Sequence, residues 1–257
     1  AIKKFQKYNL KDLKIHFLIP LKMSIKKNII GLTGSSGILA KNFIKNYKKN
    51  YNFIKYPHRL EDKRKLQHWL KKNFRINKFI HFAAISNKKN INEDKKKALK
   101  VNFKSSINLL NLLNKNTNLK YFNFISTSNV YKSSKKPLTE NSVCKPSNFY
   151  GYTKLKTEKY IKKNQKKFKF KIGISRVFNF TTPQQSLGYF IPDVIQKLKK
   201  NKKEKEIFFS NLNQKREFSH IDDVCLALNL MLKNNKAGPV NISSGNKIVL
   251  KNLVKLI

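Results

Sequence analysis

The sequence predicts an α/β fold, a doubly wound parallel sheet with helices on both faces. Three observations carry that expectation. Short runs rich in Ile, Val and Phe alternate with stretches of helical spacing along most of the 257 residues. The connections between these runs are too long for hairpins and are themselves helical, so neighbouring strands must run parallel through crossovers. A glycine-spaced loop, Gly31-Leu-Thr-Gly34-Ser-Ser-Gly37, stands where the first strand gives way to the first helix.

Residues 1–22 show neither a period nor a motif, and Met23-Ser24 reads as a natural start, so 1–22 are expected to be a peripheral extension. Asn28–Thr33 reads as the first strand, Ile38–Lys48 as helix, and Asn52–Tyr56 as a short strand closed by Pro57. Leu60–Asn73 reads as helix, with Leu66, Trp69 and Leu70 on one face. Lys78–Ala84 follows as strand, Ile91–Asn114 as one long helix and Leu119–Ser126 as strand. Tyr150–Gln165 is expected as helix, Phe168–Val177 as strand, Ile191–Lys200 and Ile221–Lys233 as helices, and Val240–Ser243 as strand. Val249–Ile257 reads as the first turns of a further helix.

Composition bounds the function. There are 57 basic residues against 13 acidic, a net charge of +44. Dedicated nucleic-acid readers lean on the arginine fork, and the arginines here are Arg59, Arg64, Arg75, Arg176 and Arg216 alone. The lysine runs are scattered rather than gathered, so no specific nucleic-acid partner is expected, only weak adhesion to polyanions at low salt. Cys144 and Cys225 fit no metal spacing and are read as free thiols, with no metal site. No apolar run approaches the ~20 residues that span a bilayer, and His16–Leu21 is too short for a signal-peptide core. A cytoplasmic protein without a membrane partner is the expectation.

The glycine loop is where the chemistry begins. Gly31, Gly34 and Gly37 at a spacing of three allow a tight turn and a close approach of backbone to a pyrophosphate seated on the helix N-terminus. Gly31, Gly34, Ser35, Ser36, Gly37 and Ile38 are therefore expected to hold a dinucleotide in a Rossmann-type sheet. The second strand should deliver a residue to the adenosine ribose. It ends in Lys55-Tyr56-Pro57-His58-Arg59, with no acid before Glu61-Asp62; Arg59 leans the expectation from NAD toward NADP, with Asp62 beside it. In Phe82-Ala83-Ala84 the small side chains of the two alanines would let backbone approach the adenosine half.

Tyr150 and Lys154 stand four residues apart and so share a helix face. A phenol, an ammonium and a hydroxyl from Ser126-Thr127-Ser128 at a strand end are the parts of a proton-transfer site. A free phenol has a pKa near ~10, so a neighbouring ammonium is needed to favour phenolate at neutral pH.

Taken in order, Gly31–Gly37, His81-Phe-Ala-Ala84, Asn102, Ser126-Thr127-Ser128-Asn-Val-Tyr131 and Tyr150-Gly-Tyr-Thr-Lys154 resemble the extended short-chain dehydrogenases/reductases. These are the NAD-dependent epimerase/dehydratase enzymes of nucleotide sugars. Arg176-Val-Phe-Asn179, Pro183-Gln-Gln-Ser-Leu-Gly188 and Arg216-Glu-Phe-Ser-His220-Ile-Asp-Asp223 carry the resemblance across about 24–257, nearest to the branch handling GDP-mannose and its 6-deoxy-4-keto derivatives. The resemblance implies a nicotinamide-binding domain over 23–180 and a smaller C-terminal substrate-binding part over 181–257, cut short at its end. Residues 221–243 would return to the sheet. It implies NAD or NADP as cofactor and a nucleotide-diphosphate sugar as substrate. Catalysis would fall to Thr127, Tyr150 and Lys154, with Lys154 also holding the cofactor ribose. Ser128 and Asn179 would lie at the sugar and Arg216 at the diphosphate. His81 would be structural, Asn102 would pin the strand carrying Thr127, and a homodimer would form through the helices at 91–114 and 150–165. Asp222 and Asp223 are expected to cap the helix they open.

Two departures narrow the expected reaction. The 4,6-dehydratases of this family place an acid within two residues after the active-site Thr, and here those positions are Ser128 and Asn129. Epimerisation or reduction at sugar C4 is therefore preferred to dehydration. Lys132 stands where the family usually has Gly. The competing readings are a non-catalytic nucleotide sensor or scaffold and, from the charge, a polyanion binder.

Overall fold

A computed structural model of the chain describes residues 27–116, 118–204 and 206–257; the extension expected at 1–22 lies outside them. In chain order the first half runs β1 Ile29–Thr33, α1 Ile38–Tyr47, β2 Asn52–Lys55, α2 Lys63–Lys72 and β3 Lys78–His81. It continues with α3 Lys88–Glu93, α4 Lys95–Leu99, a π-helical stretch Lys100–Ser105, α5 Ser106–Asn116 and β4 Tyr121–Thr127. The second half holds α6 Phe149–Asn164, β5 Lys171–Val177, β6 Phe180–Thr181, α7 Phe190–Lys200 and β7 Lys215–Glu217. It ends with β8 Ser219–His220, α8 Ile221–Asn234, β9 Gly238–Ile242, β10 Lys247–Val249 and α9 Leu250–Leu256.

Six strands make one sheet in the order β2-β1-β3-β4-β5-β9, and every pairing in it is parallel. The order reverses between β1 and β3, the switch point at which open α/β sheets bind ligands beyond the carboxyl ends of their strands. Strand β4 is buried along its whole length, and its alternation sorts the two cores. Phe122 and Phe124 pack with Leu66, Leu70, Leu109, Leu113 and Ile161 from α2, α5 and α6. Tyr121 and Ile125 pack with Leu39, Phe43, Val224, Leu228 and Leu232 from α1 and α8. This is the Rossmann-type layering that the alternation of periods predicts. A buried lysine on β3, Lys78, reaches out of this core to donate to Leu232 O near the carboxyl end of α8 at 2.5 Å.

The structure corrects three readings of local structure. The single helix expected over Ile91–Asn114 is broken: Asp94 leaves helical backbone, and its side chain accepts from Lys97 N at 2.8 Å, ending one helix and capping the next. Strand β3 stops at His81, opposite the last residue of β1, so Phe82–Ala84 form a loop above the sheet. The helix at 221 is capped by His220, whose ring nitrogen accepts from Asp222 N at 3.3 Å; Asp222 and Asp223 sit inside the first turn instead. Two strand pairs, β6 with β8 and β7 with β10, have no sequence signature, being only two or three residues long.

Candidate active site

The glycine loop closes against the loop after β3. Gly34 has φ +70°, and a Cβ there would come within 2.5 Å of Ala83 N, so only glycine lets the two loops touch. Gly37 N donates to Gly34 O at 3.0 Å, and Gly37 is the N-cap of α1 with no side chain closing the helix end. The first amides of α1 are thus left facing outward, an arrangement suited to a phosphate. The loop fits a dinucleotide by geometry as well as by spacing.

His81 supports this corner from below. Ser106 Oγ donates to Asn102 O at 2.8 Å, so it accepts from His81 Nε2 (2.8 Å), and His81 Nδ1 accepts the Thr33 hydroxyl at 2.6 Å. Burial, with the Lys154 charge adding to it, pushes the imidazole down to about 3, so the ring is a neutral strut under the loop.

The expected catalytic residues belong to the carboxyl end of β4 and to α6, which packs on the turn that follows it. Thr127 is its last residue, and Ser128 follows, half-buried, in a single 3-10 turn over Ser128–Val130. Helix α6 presses directly on that turn, because a Cβ on Gly151 would lie 2.1 Å from Asn129 O. Glycine at 151 is therefore what allows Tyr150 to approach the end of β4. One turn on, Lys154 is fully buried over the Phe124 ring, 4.6 Å from its centroid and 5.9 Å from that of Tyr150. Its ammonium donates to Ile125 O at 2.7 Å, leaving further donors free for a ligand. Burial lowers Lys154 to about 7, with Glu158 opposing the shift, and burial followed by the charge of Tyr189 raises Tyr150 above the ordinary phenol value, against the expectation that the ammonium favours phenolate: in the ligand-free chain burial outweighs it.

Asn102 does not pin β4 as expected. Its carbonyl accepts from Ile85 N (2.8 Å), and its amide donates to Ile85 O (2.9 Å) and Thr153 Oγ1 (3.1 Å), tying the loop after β3 to α6. Sequence reasoning also missed Glu158 and Arg176. Arg176 on β5 donates to Glu158 Oε2 at 2.7 Å, to the Tyr131 hydroxyl at 2.8 Å and to Glu140 O at 2.9 Å, all but closed off from solvent. The available signals were an acid four residues beyond Lys154 and a cation inside an apolar β run.

The remaining expected residues lie further out. Asn179 and Arg216 are exposed; Arg216 Nη2 donates to Gln214 Oε1 at 3.1 Å, and Asn179 O accepts from Ser219 N at 2.9 Å. Glu217, beside Arg216, accepts from Ser243 Oγ at 2.7 Å and Ser244 N at 2.6 Å, which moors β7 to the end of β9. Asp62 is engaged as the N-cap of α2, accepting from Lys65 N at 3.0 Å, whereas Arg59 projects into solvent beyond β2. A cleft of about 820 Å³ runs between Thr181–Pro183, α7 and His220, and none of the reactive trio lines it. Among the described residues no His, Cys, Asp and Glu side chains gather to hold a metal, and no helix is long and apolar enough to cross a membrane.

Residues 30–243 match the family model described as NAD dependent epimerase/dehydratase. The chain belongs to that family. Its curated relatives include a dTDP-D-glucose 4,6-dehydratase of Dictyostelium discoideum, 29% identical over 81% of this chain and 50% of the relative. A UDP-glucose 4-epimerase of Lactobacillus helveticus is 29% identical over 67% and 58%, and a GDP-6-deoxy-D-mannose reductase of Pseudomonas aeruginosa is 24% identical over 69% and 61%. The chain thus spans between half and three fifths of the length of these relatives. Among solved structures, RMD from Pseudomonas aeruginosa complexed with NADPH superposes with a TM-score of 0.79 at 22% identity, covering 90% of this chain and 81% of that one. UDP-glucose 4-epimerase of Thermotoga maritima with UDP-glucose gives 0.76 at 22% identity, over 89% and 81%. These epimerase/dehydratase structures share the fold of this chain.

Proposed function

We propose that this chain is an NAD(P)-dependent nucleotide-sugar enzyme that transfers hydride at sugar C4, as an epimerase through a transient 4-keto sugar or as a 4-keto reductase. The observation that carries the reading is the seating of α6 at the carboxyl end of β4: Lys154 bonds Ile125 O and lies 5.9 Å from the Tyr150 ring, and Gly151 meets the turn that follows Thr127. Gly31, Gly34, Ser35, Ser36, Gly37 and Ile38 would hold the cofactor phosphates on α1, with Phe82–Ala84 along the adenosine half. Arg59 extends the same surface toward a 2′-phosphate. The bound nicotinamide supplies the hydride acceptor or donor.

The protein's own part is proton transfer and orientation. Tyr150 takes the proton of the C4 hydroxyl as phenolate, or returns it as phenol in the reductive direction. Lys154 stabilises the phenolate by its charge and fixes a ribose hydroxyl with the donors left beside Ile125 O. Thr127 donates to the same sugar oxygen, Ser128 and Asn179 line the sugar, and Arg216 takes the diphosphate with its fork. The absence of a carboxylate at Ser128 and Asn129 supports a reaction that stops at C4, because dehydration needs an acid there to move protons at C5 and C6. A cytoplasmic homodimer through the helical segments at 91–114 and 150–165 belongs to the same proposal.

The test is a panel of UDP-, GDP- and dTDP-sugars and their 4-keto derivatives, with and without NADPH. Product inverted at C4 without net reductant means epimerase, and stoichiometric oxidation of NADPH means reductase. Tyr150→Phe is expected to lower turnover by about 10²–10⁴-fold; unchanged turnover in that variant overturns the mechanism.

A further inference from the structure

The part of the site that the proposed chemistry leaves unused is the polar cluster beneath Lys154. Lys154 and Glu158 sit one turn apart on α6 and reach consecutive residues of β4: the ammonium donates to Ile125 O, and Glu158 Oε1 accepts the Ser126 hydroxyl. Those two residues immediately precede Thr127. The far side of the same carboxylate is held by Arg176 of β5 through Nε and Nη2, and Arg176 also binds Tyr131 and Glu140 O. The carboxylate therefore ties α6 to β4 and β5, ion-paired to Arg176 at 2.7 Å and one helical turn along α6 from Lys154.

We infer that Glu158 is a positioning residue for the acid/base pair: one helical turn from Lys154, its carboxylate ties α6 to Ser126 of β4 and Arg176 of β5 and so sets the height of α6 against the end of β4. The inference rests on the reading of Tyr150 and Lys154 as the proton-transfer pair. Burial disfavours the Lys154 ammonium, and Glu158 is the group that opposes it. The other groups facing Lys154 are Tyr150 from its own helix and the neutral His81 from β3; β4 offers only Phe124, Ile125 and Ser126. Around Glu158 stand Arg176 from β5 and the thiol of Cys144 from the loop before α6. Tyr131 and Glu140 lie behind the guanidinium. Arg176 thus anchors the carboxylate from the side away from Lys154.

The experiment follows the lysine ε-carbon by ¹³C NMR in the cofactor-free full chain labelled at that carbon, with Lys154 assigned from the signal lost in Lys154→Met. In Glu158→Gln the Lys154 titration is expected to move down by about one pH unit or more. In Glu158→Asp it stays near the wild-type value. Should Glu158→Gln fail to fold with Arg176 left unpaired, the double variant Glu158→Gln/Arg176→Gln removes both charges; losing the Arg176 cation acts upward on Lys154, so a smaller downward movement is expected there. The alkaline limb of kcat/KM in the oxidative direction should move down by a similar interval, since a neutral Lys154 no longer supports phenolate. A Lys154 titration unchanged in the folded Gln variants overturns the inference, even where Tyr150→Phe abolishes turnover. Wild-type protein inert toward every sugar overturns the proposed function instead, and leaves the NMR result to decide the role of Glu158.

Discussion

Two polar regions of this molecule are built in opposite ways. Around α6, β4 and β5, the charged groups Lys154, Glu158 and Arg176 are buried and hydrogen-bonded to one another or to backbone. Around β7 and β8, Arg216 stands exposed on a strand of three residues held by β10 and the mooring of Glu217, and Asn179 stands exposed in the loop between β5 and β6, bonded through its backbone oxygen to Ser219 of β8. The difference teaches where each kind of precision comes from. Proton transfer needs groups whose ionisation is set in advance, which burial and fixed partners provide. On the proposed reading a nucleotide sugar has to enter and leave, which suits side chains exposed on lightly held elements.

That contrast is open to attack by substitution. Arg176→Met leaves Glu158 buried without its cation and should cost about 3–5 kcal/mol in denaturant unfolding, with part recovered in Arg176→Met/Glu158→Gln. A loss no larger than that of a surface substitution would show the pair to be more hydrated than its burial implies. Gly151→Ala would press a methyl on Asn129 O and push α6 away from the turn after Thr127. A misplacement on the order of 1 Å is expected to lower kcat by about 10²-fold while the protein still folds and binds cofactor. Arg216→Ala tests the open region. It should raise KM for the nucleotide sugar by about tenfold, the equivalent of about 1.4 kcal/mol, with kcat and the unfolding midpoint little changed. An unfolding midpoint that falls with Arg216→Ala would erase the distinction between the two regions.

Much of this was legible beforehand, and particular residues show why. The strands expected at 28–33, 78–84 and 119–126 announce themselves as apolar runs, to within a few residues at their ends, and the loop Gly31–Gly37 announces its place between strand and helix. Tyr150 and Lys154 share a face because the helical repeat puts them there. The expected partner of Asn102 was wrong because an amide in a helix gives no sign of which neighbour it will meet; Ile85 and Thr153 are distant from it in sequence and are brought to it only by the loop after β3. His220 took the capping position from Asp222 and Asp223 because the preceding strand pair sets where the helix may begin.

By itself, then, the sequence determined the alternation of strand and helix, the family, the glycine loop between β1 and α1 and the shared helix face of Tyr150 and Lys154. Each of these depends on residue type and short-range spacing, which local sterics and periodicity translate directly into structure. Only the tertiary structure decided that Lys154 lies on Ile125 O, that Glu158 is shared between Ser126 and Arg176, and that Gly151 touches Asn129. Those contacts join residues far apart in the chain, and they arise from the order in which the parallel strands are laid side by side.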